Sequence, residues 1–124
     1  MTTILIIDDD HFFTELVSLQ LLLAGYTVQT AKDPAEGLRA VIDGPPDLIL
    51  LDLDLPYLSG FEVLEALRSD PSTREIPVMI LSAHTDEDSY ARCHKIGIDG
   101  FLTKPIRSDQ LIEEIARLAL RAES

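Results

Sequence analysis

Short runs of consecutive apolar residues alternate with segments of helical spacing along the chain, and this alternation limits the fold more than any other feature. Three of the runs are continuous and rich in branched side chains, which is typical of strands covered on both faces in a parallel sheet. Another segment alternates apolar with polar residues, which predicts a strand nearer a sheet edge. The five predicted strands cover residues 4–7, 26–31, 48–51, 78–81 and 100–103.

Helical spacing fills the gaps between these predicted strands. The first helix is predicted to follow Asp10 as its cap and to end before Gly25. Its apolar residues recur at intervals of three and four, the spacing of one helix face, and are Phe12, Leu16, Leu19 and Leu23. The remaining helices are predicted to begin after Asp33, near Ser59 as a cap, near Asp86 and near Ser108.

The order of strand and helix repeats five times. Right-handed crossovers between parallel strands then give an α/β fold, an open sheet with helices on both faces. A closed barrel of eight such units needs about twice the length of this 124-residue chain. In an open sheet of this kind, function lies in the crevice at the carboxyl ends of the strands.

The excess of acidic residues argues against several classes of function. With 22 acidic against 10 basic residues, the net charge is −12, so we expect neither direct nucleic-acid binding nor docking to an anionic membrane. The single cysteine, Cys93, excludes an internal disulfide and is expected to be a packing residue. Neither a secretory leader nor a membrane-spanning segment is predicted. We therefore expect a cytoplasmic protein.

Chemically active side chains end four of the five predicted strands. Carboxylates that converge in one crevice repel each other, and a bound cation with oxygen ligands, such as Mg²⁺, removes that penalty. A lysine supplies a positive charge suited to a phosphoryl oxygen, and a carboxylate can attack phosphorus to form an acyl phosphate. The residues concerned are Asp8, Asp9, Asp52, Asp54, Ser82 and Lys104.

Together these motifs closely resemble the receiver domain of response regulators, the phospho-acceptor half of two-component signalling. The resemblance covers residues 3–120 and implies a single receiver domain over residues 1–124, with no output domain. It also implies a flavodoxin-like (βα)5 fold with the strand order 2-1-3-4-5.

The resemblance assigns a role to each strand-end residue. Asp52 is implied as the phosphorylated residue, and Asp8 and Asp9 as the acidic pair that holds Mg²⁺, with Mn²⁺ as a substitute. Asp52 itself and the backbone carbonyl of Asp54 complete the implied metal ligands. The implied residues that bind the phosphoryl group are Ser82 and Lys104.

Further positions of the family match residues around this site. Ser82 and Phe101 are implied as the conformational switch, and Pro56 and Gly60 match the loop after the acceptor. The peptide bond between Lys104 and Pro105 is often cis in the family. Asp54 and His84 stand at positions that tune hydrolysis of the acyl phosphate, in a direction the sequence does not predict.

The implied function is a signalling switch rather than an enzyme, apart from catalysis of its own phosphorylation and slow dephosphorylation. The implied donor is a sensor histidine kinase or a phosphotransfer protein. Phosphorylation is expected to shift the surface formed by the fourth helix, fifth strand and fifth helix. That surface would bind a downstream effector, a covalently linked output domain or a second copy of the chain.

Three other readings remain open from the residues alone. A haloacid-dehalogenase-type phosphatase would use Asp52 and Asp54 and would turn over phosphomonoesters, although its motifs normally come in another order. A flavodoxin-like cofactor binder would need a neutral phosphate loop where this chain has Asp8 and Asp9, and would carry flavin absorbance. A degenerate receiver that only binds partners is disfavoured by the complete set of acids.

Overall fold

Five parallel strands form one sheet in the computed structural model, which describes residues 2–55, 59–83 and 86–123. In chain order they are β1 (Thr3–Ile7), β2 (Thr27–Ala31), β3 (Leu48–Asp52), β4 (Val78–Ser82) and β5 (Gly100–Thr103). The order across the sheet is β2-β1-β3-β4-β5, which confirms the predicted fold class and strand order. The alternating strand, β2, lies at an edge as predicted.

Five helices connect and follow the strands, and two predicted caps are confirmed. They are α1 (His11–Leu23), α2 (Pro34–Asp43), α3 (Gly60–Ser69), α4 (Glu87–Ile96) and α5 (Ser108–Glu123). The side chains of Asp10 and Asp33 accept hydrogen bonds from backbone N–H groups in the first turns of α1 and α2. Ser59 occupies the N-cap position of α3, but its side chain makes no capping hydrogen bond, so that part of the prediction was wrong.

The two faces of the sheet bury separate apolar layers. Because side chains alternate along a strand, Leu5 and Ile7 contribute to the layer under α2, α3 and α4. Ile4 and Ile6 contribute to the layer under α1 and α5. Cys93 is fully buried in the first layer, as its predicted packing role requires, and burial raises its thiol pKa although Arg92 lowers it.

Helix α1 packs with a face different from the one its spacing suggested. The predicted apolar stripe of Phe12, Leu16, Leu19 and Leu23 is between 49% and 80% exposed. The buried residues of α1 are instead Thr14, Val17 and Leu21, which lie on the opposite side of the helix. Since α1 carries apolar residues nearly all round, its period alone did not select the buried side.

Among the described residues, no helix combines the length and the apolar content needed to cross a lipid bilayer.

Candidate functional site

The ends of β1 and β3 bring two buried carboxylates together. Ile7 pairs with Leu51 across these strands, so Asp8 and Asp52, one residue further along each chain segment, reach the same edge of the sheet. Asp8 is 2% exposed and Asp52 is 3% exposed. A carboxyl oxygen of Asp8 accepts from the N–H of Asp10 at 2.9 Å. In the same way, Asp52 Oδ1 accepts from the N–H of Asp54 at 3.1 Å. These local bonds hold both carboxylates in place.

A third carboxylate completes an acidic cluster at this edge. Asp8, Asp9 and Asp52 each offer an oxygen within 4.8 Å of the others, and Asp9 is exposed whereas the other two are buried. Asp54 follows two residues after Asp52 and is exposed. Because every donor is oxygen, the cluster suits a hard divalent cation such as Mg²⁺.

Lys104 faces the cluster from the loop after β5. Its ammonium Nζ lies 2.8 Å from Asp8 Oδ2 and 3.8 Å from Asp52 Oδ1. Burial lowers the pKa of Lys104, but the hydrogen bond to Asp8 and the charges of Asp52 and Asp8 raise the pKa by more, so that the net shift is upward. The lysine is therefore a fixed positive charge beside Asp52.

The carboxyl of Asp52 is the group whose acidity changes most clearly at the site. Its pKa is raised from 3.8 to about 6, mainly by burial and in addition by the charges of Asp8 and Asp54. The hydrogen bond from Asp54 and the charge of Lys104 lower the pKa without cancelling this effect. Asp52 is thus a carboxylate held in a setting that disfavours its own charge, which a cation or a phosphoryl group can change.

Ser82 and Lys104 lie at the carboxyl ends of the neighbouring strands β4 and β5. Ser82 is the last residue of β4, is fully buried, and lies beside β3, where Asp52 pairs with Leu81. The backbone N–H of Lys104 donates to the carbonyl of Ser82 at 2.7 Å. The peptide bond between Lys104 and Pro105 is cis, in agreement with the resemblance.

The predicted switch residue Phe101 lies on β5, the strand at the other edge of the sheet from β2, and is partly buried. Its ring makes an edge contact with Tyr90 of α4, with centroids 5.3 Å apart. Tyr90 in turn contacts His94 at a centroid distance of 4.4 Å. Phe101 therefore connects β5 to the exposed surface of α4.

Gly60 supports the acceptor through close backbone packing. A Cβ atom at this position would lie 2.6 Å from the carbonyl oxygen of Asp52 and 2.6 Å from the Cα of Leu53. Its N–H donates to the carbonyl of Leu53 at 3.2 Å. Only glycine fits without a shift of the backbone that carries Asp52. The predictions for Pro56 and His84 concern residues outside the described part of the chain.

One contact at the site was missed by reasoning from the sequence. Lys104 Nζ lies 4.5 Å from the ring centroid of Phe13, so the ammonium rests on an aromatic face. Phe13 was not singled out because the two residues are far apart in the chain and Phe13 stands among other apolar residues of α1. No local sequence signal marks this pairing.

A doubly wound five-stranded sheet with this acidic edge defines the receiver class of signalling domain. A family model described as the response regulator receiver domain matches residues 4–116. The chain belongs to this family, and it is a receiver domain of the two-component response-regulator type.

Known relatives agree with this assignment. RpaA of Synechocystis sp., a DNA-binding dual master transcriptional regulator, is 40% identical over 123 residues, which are 99% of this chain and 51% of RpaA. The transcriptional regulatory protein KdpE of Mycobacterium tuberculosis is 38% identical over 121 residues, which are 98% of this chain and 52% of KdpE. This chain therefore spans about half the length of these two regulators.

A solved structure has the same fold. The chemotaxis protein CheY4 of Vibrio cholerae superposes with a TM-score of 0.90 at 30% identity, covering 95% of this chain and 98% of that chain. Neither the family match nor these relatives support the haloacid-dehalogenase-type alternative.

Proposed function

We propose that Asp52 accepts a phosphoryl group from a phosphohistidine of a sensor histidine kinase or a phosphotransfer protein. A carboxylate oxygen of Asp52 bonds to phosphorus, the bond between phosphorus and the imidazole nitrogen breaks, and its electron pair returns to the imidazole. The observation that carries this proposal is the position of Asp52, buried between the acidic pair and Lys104.

Divalent metal binding is part of the proposal. Asp8, Asp9, Asp52 and the backbone carbonyl of Asp54 would hold Mg²⁺, with Mn²⁺ as a substitute. The all-oxygen donor set of the three carboxylates supports this choice of ion. Bound there, the ion supplies positive charge that offsets the charge of the incoming phosphoryl group.

Ser82 and Lys104 are proposed to bind the phosphoryl oxygens. Lys104 Nζ stands 3.8 Å from Asp52 Oδ1, just beyond a hydrogen bond, so a short movement of the ammonium brings it to an oxygen on the modified side chain. The hydroxyl of Ser82 donates to a second oxygen. By the same positioning, the domain catalyses its own phosphorylation and its slow dephosphorylation.

The response of the domain is proposed to pass through Ser82 and Phe101. Movement of Ser82 lets Phe101 repack, and the edge contact of Phe101 with Tyr90 carries the change to α4. The surface of α4, β5 and α5 then changes its preference for an effector, a linked output domain or a second copy of the chain. This is a population shift between two packings, biased by a local charge.

The donor is proposed to dock on a groove that borders the site, which we call the α1 groove. The groove has a volume of about 480 Å³ and lies between α1 and the start of α5. Apolar side chains line much of it, and Lys104 lies at its wall; the lining includes Phe12, Phe13, Leu16, Ile106 and Leu111. A partner seated there would be next to Asp52, and the exposed stripe of α1 would extend the contact.

The two relatives named above are transcriptional regulators, and we propose that this receiver likewise controls a regulator in the cytoplasm. A transcriptional output would be performed by a linked or separate partner. The acidic receiver itself, with a net charge of −12, has no part in contacting nucleic acid in this proposal.

The test uses small phosphoryl donors. Acetyl phosphate with Mg²⁺ should give a phosphoryl adduct of the intact protein, detected by mass spectrometry, and Asp52→Asn should give none. Beryllofluoride with Mg²⁺ should shift the amide resonances around Asp52 and Phe101. An unchanged wild-type spectrum, or the same shifts in Asp52→Ala, would contradict the proposal.

A further inference from the structure

The ammonium of Lys104 is held from two sides in the described structure. Asp8 Oδ2 accepts its hydrogen bond at 2.8 Å, and the ring of Phe13 lies beneath it with the centroid at 4.5 Å. Asp52 Oδ1 is farther away, at 3.8 Å. The lysine side chain is largely buried, so water competes weakly with the ring for the charge.

Phe13 is itself fixed near the acidic cluster by the first turn of α1. Its backbone N–H donates to Asp10 Oδ1 at 3.1 Å, and the N–H of Asp10 donates to Asp8. One short segment therefore sets the positions of both the Asp8 carboxylate and the Phe13 ring. The ring also packs against the apolar layer under α1 and α5, which restricts its rotation.

An aromatic face and a carboxylate hold an ammonium in different ways. The hydrogen bond to Asp8 is directional and is broken if Nζ moves to another oxygen. Attraction to the ring depends mainly on distance from its face, so Nζ can shift from Asp8 toward Asp52 and remain over Phe13. An aliphatic side chain at this position would fill space without this attraction.

We propose that Phe13 is a positioning residue for Lys104, whose ring keeps the ammonium beside Asp52 while it changes partner from Asp8 to a phosphoryl oxygen. The inference rests on the proposed function of Asp52. Phe13 also lines the α1 groove, so a docked partner would contact the same ring that holds the lysine.

Three variants test the proposal by the affinity for beryllofluoride in the presence of Mg²⁺. Phe13→Leu should weaken this affinity about three- to tenfold, the range expected for a desolvated contact between a cation and a ring. Phe13→Tyr keeps the aromatic face and should remain within about twofold of wild type. Phe61→Leu is the matched control, because Arg92 lies 4.2 Å from that ring centroid in a contact of the same kind elsewhere.

Each result supports or overturns the assignment. Equal affinity of Phe13→Leu and wild type overturns it, and so does an equal loss in Phe13→Tyr, which would indicate a packing role. A loss in Phe61→Leu as large as that in Phe13→Leu also overturns it, because the effect would not be local to Lys104.

A measurement without beryllofluoride separates this inference from the proposed function. In the free protein, the terminal methylene protons of Lys104 should be shifted upfield by the Phe13 ring in NMR spectra. Phe13→Leu should abolish that shift and Phe13→Tyr should retain it. If the shift is missing in wild type, the positioning role is wrong. If the shift is present but wild type binds no beryllofluoride, the proposed function fails and the positioning role in phosphorylation fails with it.

Discussion

The edge of the sheet at the amino ends of the strands (the amino edge) differs from the edge at their carboxyl ends (the carboxyl edge) in how its charges are paired. At the amino edge, Arg68 donates to the carbonyls of Gly97, Arg74 and Ile76 at 2.7–2.9 Å. It also donates to Asp99 Oδ2 at 3.1 Å, and the same oxygen accepts from the N–H of Val78. At the carboxyl edge, three carboxylates lie close together, and two of them, those of Asp8 and Asp52, contact one lysine. The contacts of Arg68 at the amino edge stabilise the fold, whereas the carboxyl edge retains an excess of negative charge that can attract a cation.

The largest expected effect is at the amino edge. Arg68→Ala should lower the free energy of unfolding by about 2–4 kcal/mol, because it removes the ion pair with Asp99 and the hydrogen bonds to three backbone carbonyl groups. Urea denaturation measures this loss. Arg107→Ala is the control, since Arg107 pairs with Asp109 at 2.6 Å but its side chain is 78% exposed. That control should cost less than about 1 kcal/mol. Equal losses would remove the contrast between a supporting and an exposed ion pair.

A smaller loss of stability is expected from a change beneath the acidic site. Gly60→Ala should destabilise the domain by about 1–3 kcal/mol, because the new methyl group collides with the backbone of Asp52 and Leu53. It should also weaken beryllofluoride binding through displacement of Asp52. Gly44→Ala is a suitable control, since a Cβ there would meet no atom within 4 Å. Similar behaviour of both variants would show that the close approach at Gly60 is unimportant.

At the carboxyl edge, removal of a charge should stabilise the fold. Asp52→Asn should raise the free energy of unfolding by about 1–2 kcal/mol at pH 7 in EDTA, because a carboxylate with a raised pKa no longer has to be ionised in a buried site. Thermal or urea unfolding measures the gain. Asp54→Asn changes an exposed carboxylate two residues away and should stay within about 0.5 kcal/mol of wild type. If Asp52→Asn is no more stable than wild type, the buried charge of Asp52 does not destabilise the fold.

The smallest expected effect is the pH dependence of the stability that Asp52→Asn gains over wild type. The pKa of Asp52 is about 6 in the folded protein against 3.8 as its ordinary value. Between these values the folded state binds more protons than the unfolded state, so wild-type stability falls as pH rises. The advantage of Asp52→Asn should therefore be absent near pH 4, grow toward pH 6 and stay constant above it, in EDTA. An advantage that does not change over this range would contradict the raised pKa.

The parts of the fold that followed from the sequence are those set by local patterns. Continuous apolar runs located the strands, and the side chains that end them located the acidic edge, because the carboxyl ends of parallel strands meet at one edge. The caps of Asp10 and Asp33 are equally local.

The parts that did not follow depend on contacts distant in the chain. The period of α1 fits two opposite faces, and packing against the sheet selected Val17 and Leu21 rather than the predicted stripe. The contact of Phe13 with Lys104 and that of Arg68 with Asp99 join residues of different elements. No sequence motif marks either contact, since each forms only once the sheet has brought the two residues together.

The engagement of both Asp8 oxygens has a consequence for the order of events at the site. Oδ1 accepts from the Asp10 N–H, and Oδ2 accepts from Lys104. The lysine thus acts as an internal counter-ion of Asp8 and Asp52, and a divalent ion bound to these carboxylates would share them with the lysine or replace it. Under the proposed function, metal binding at Asp8 and release of the ammonium would be one exchange, and the lysine would then be available to an oxygen of the phosphoryl group.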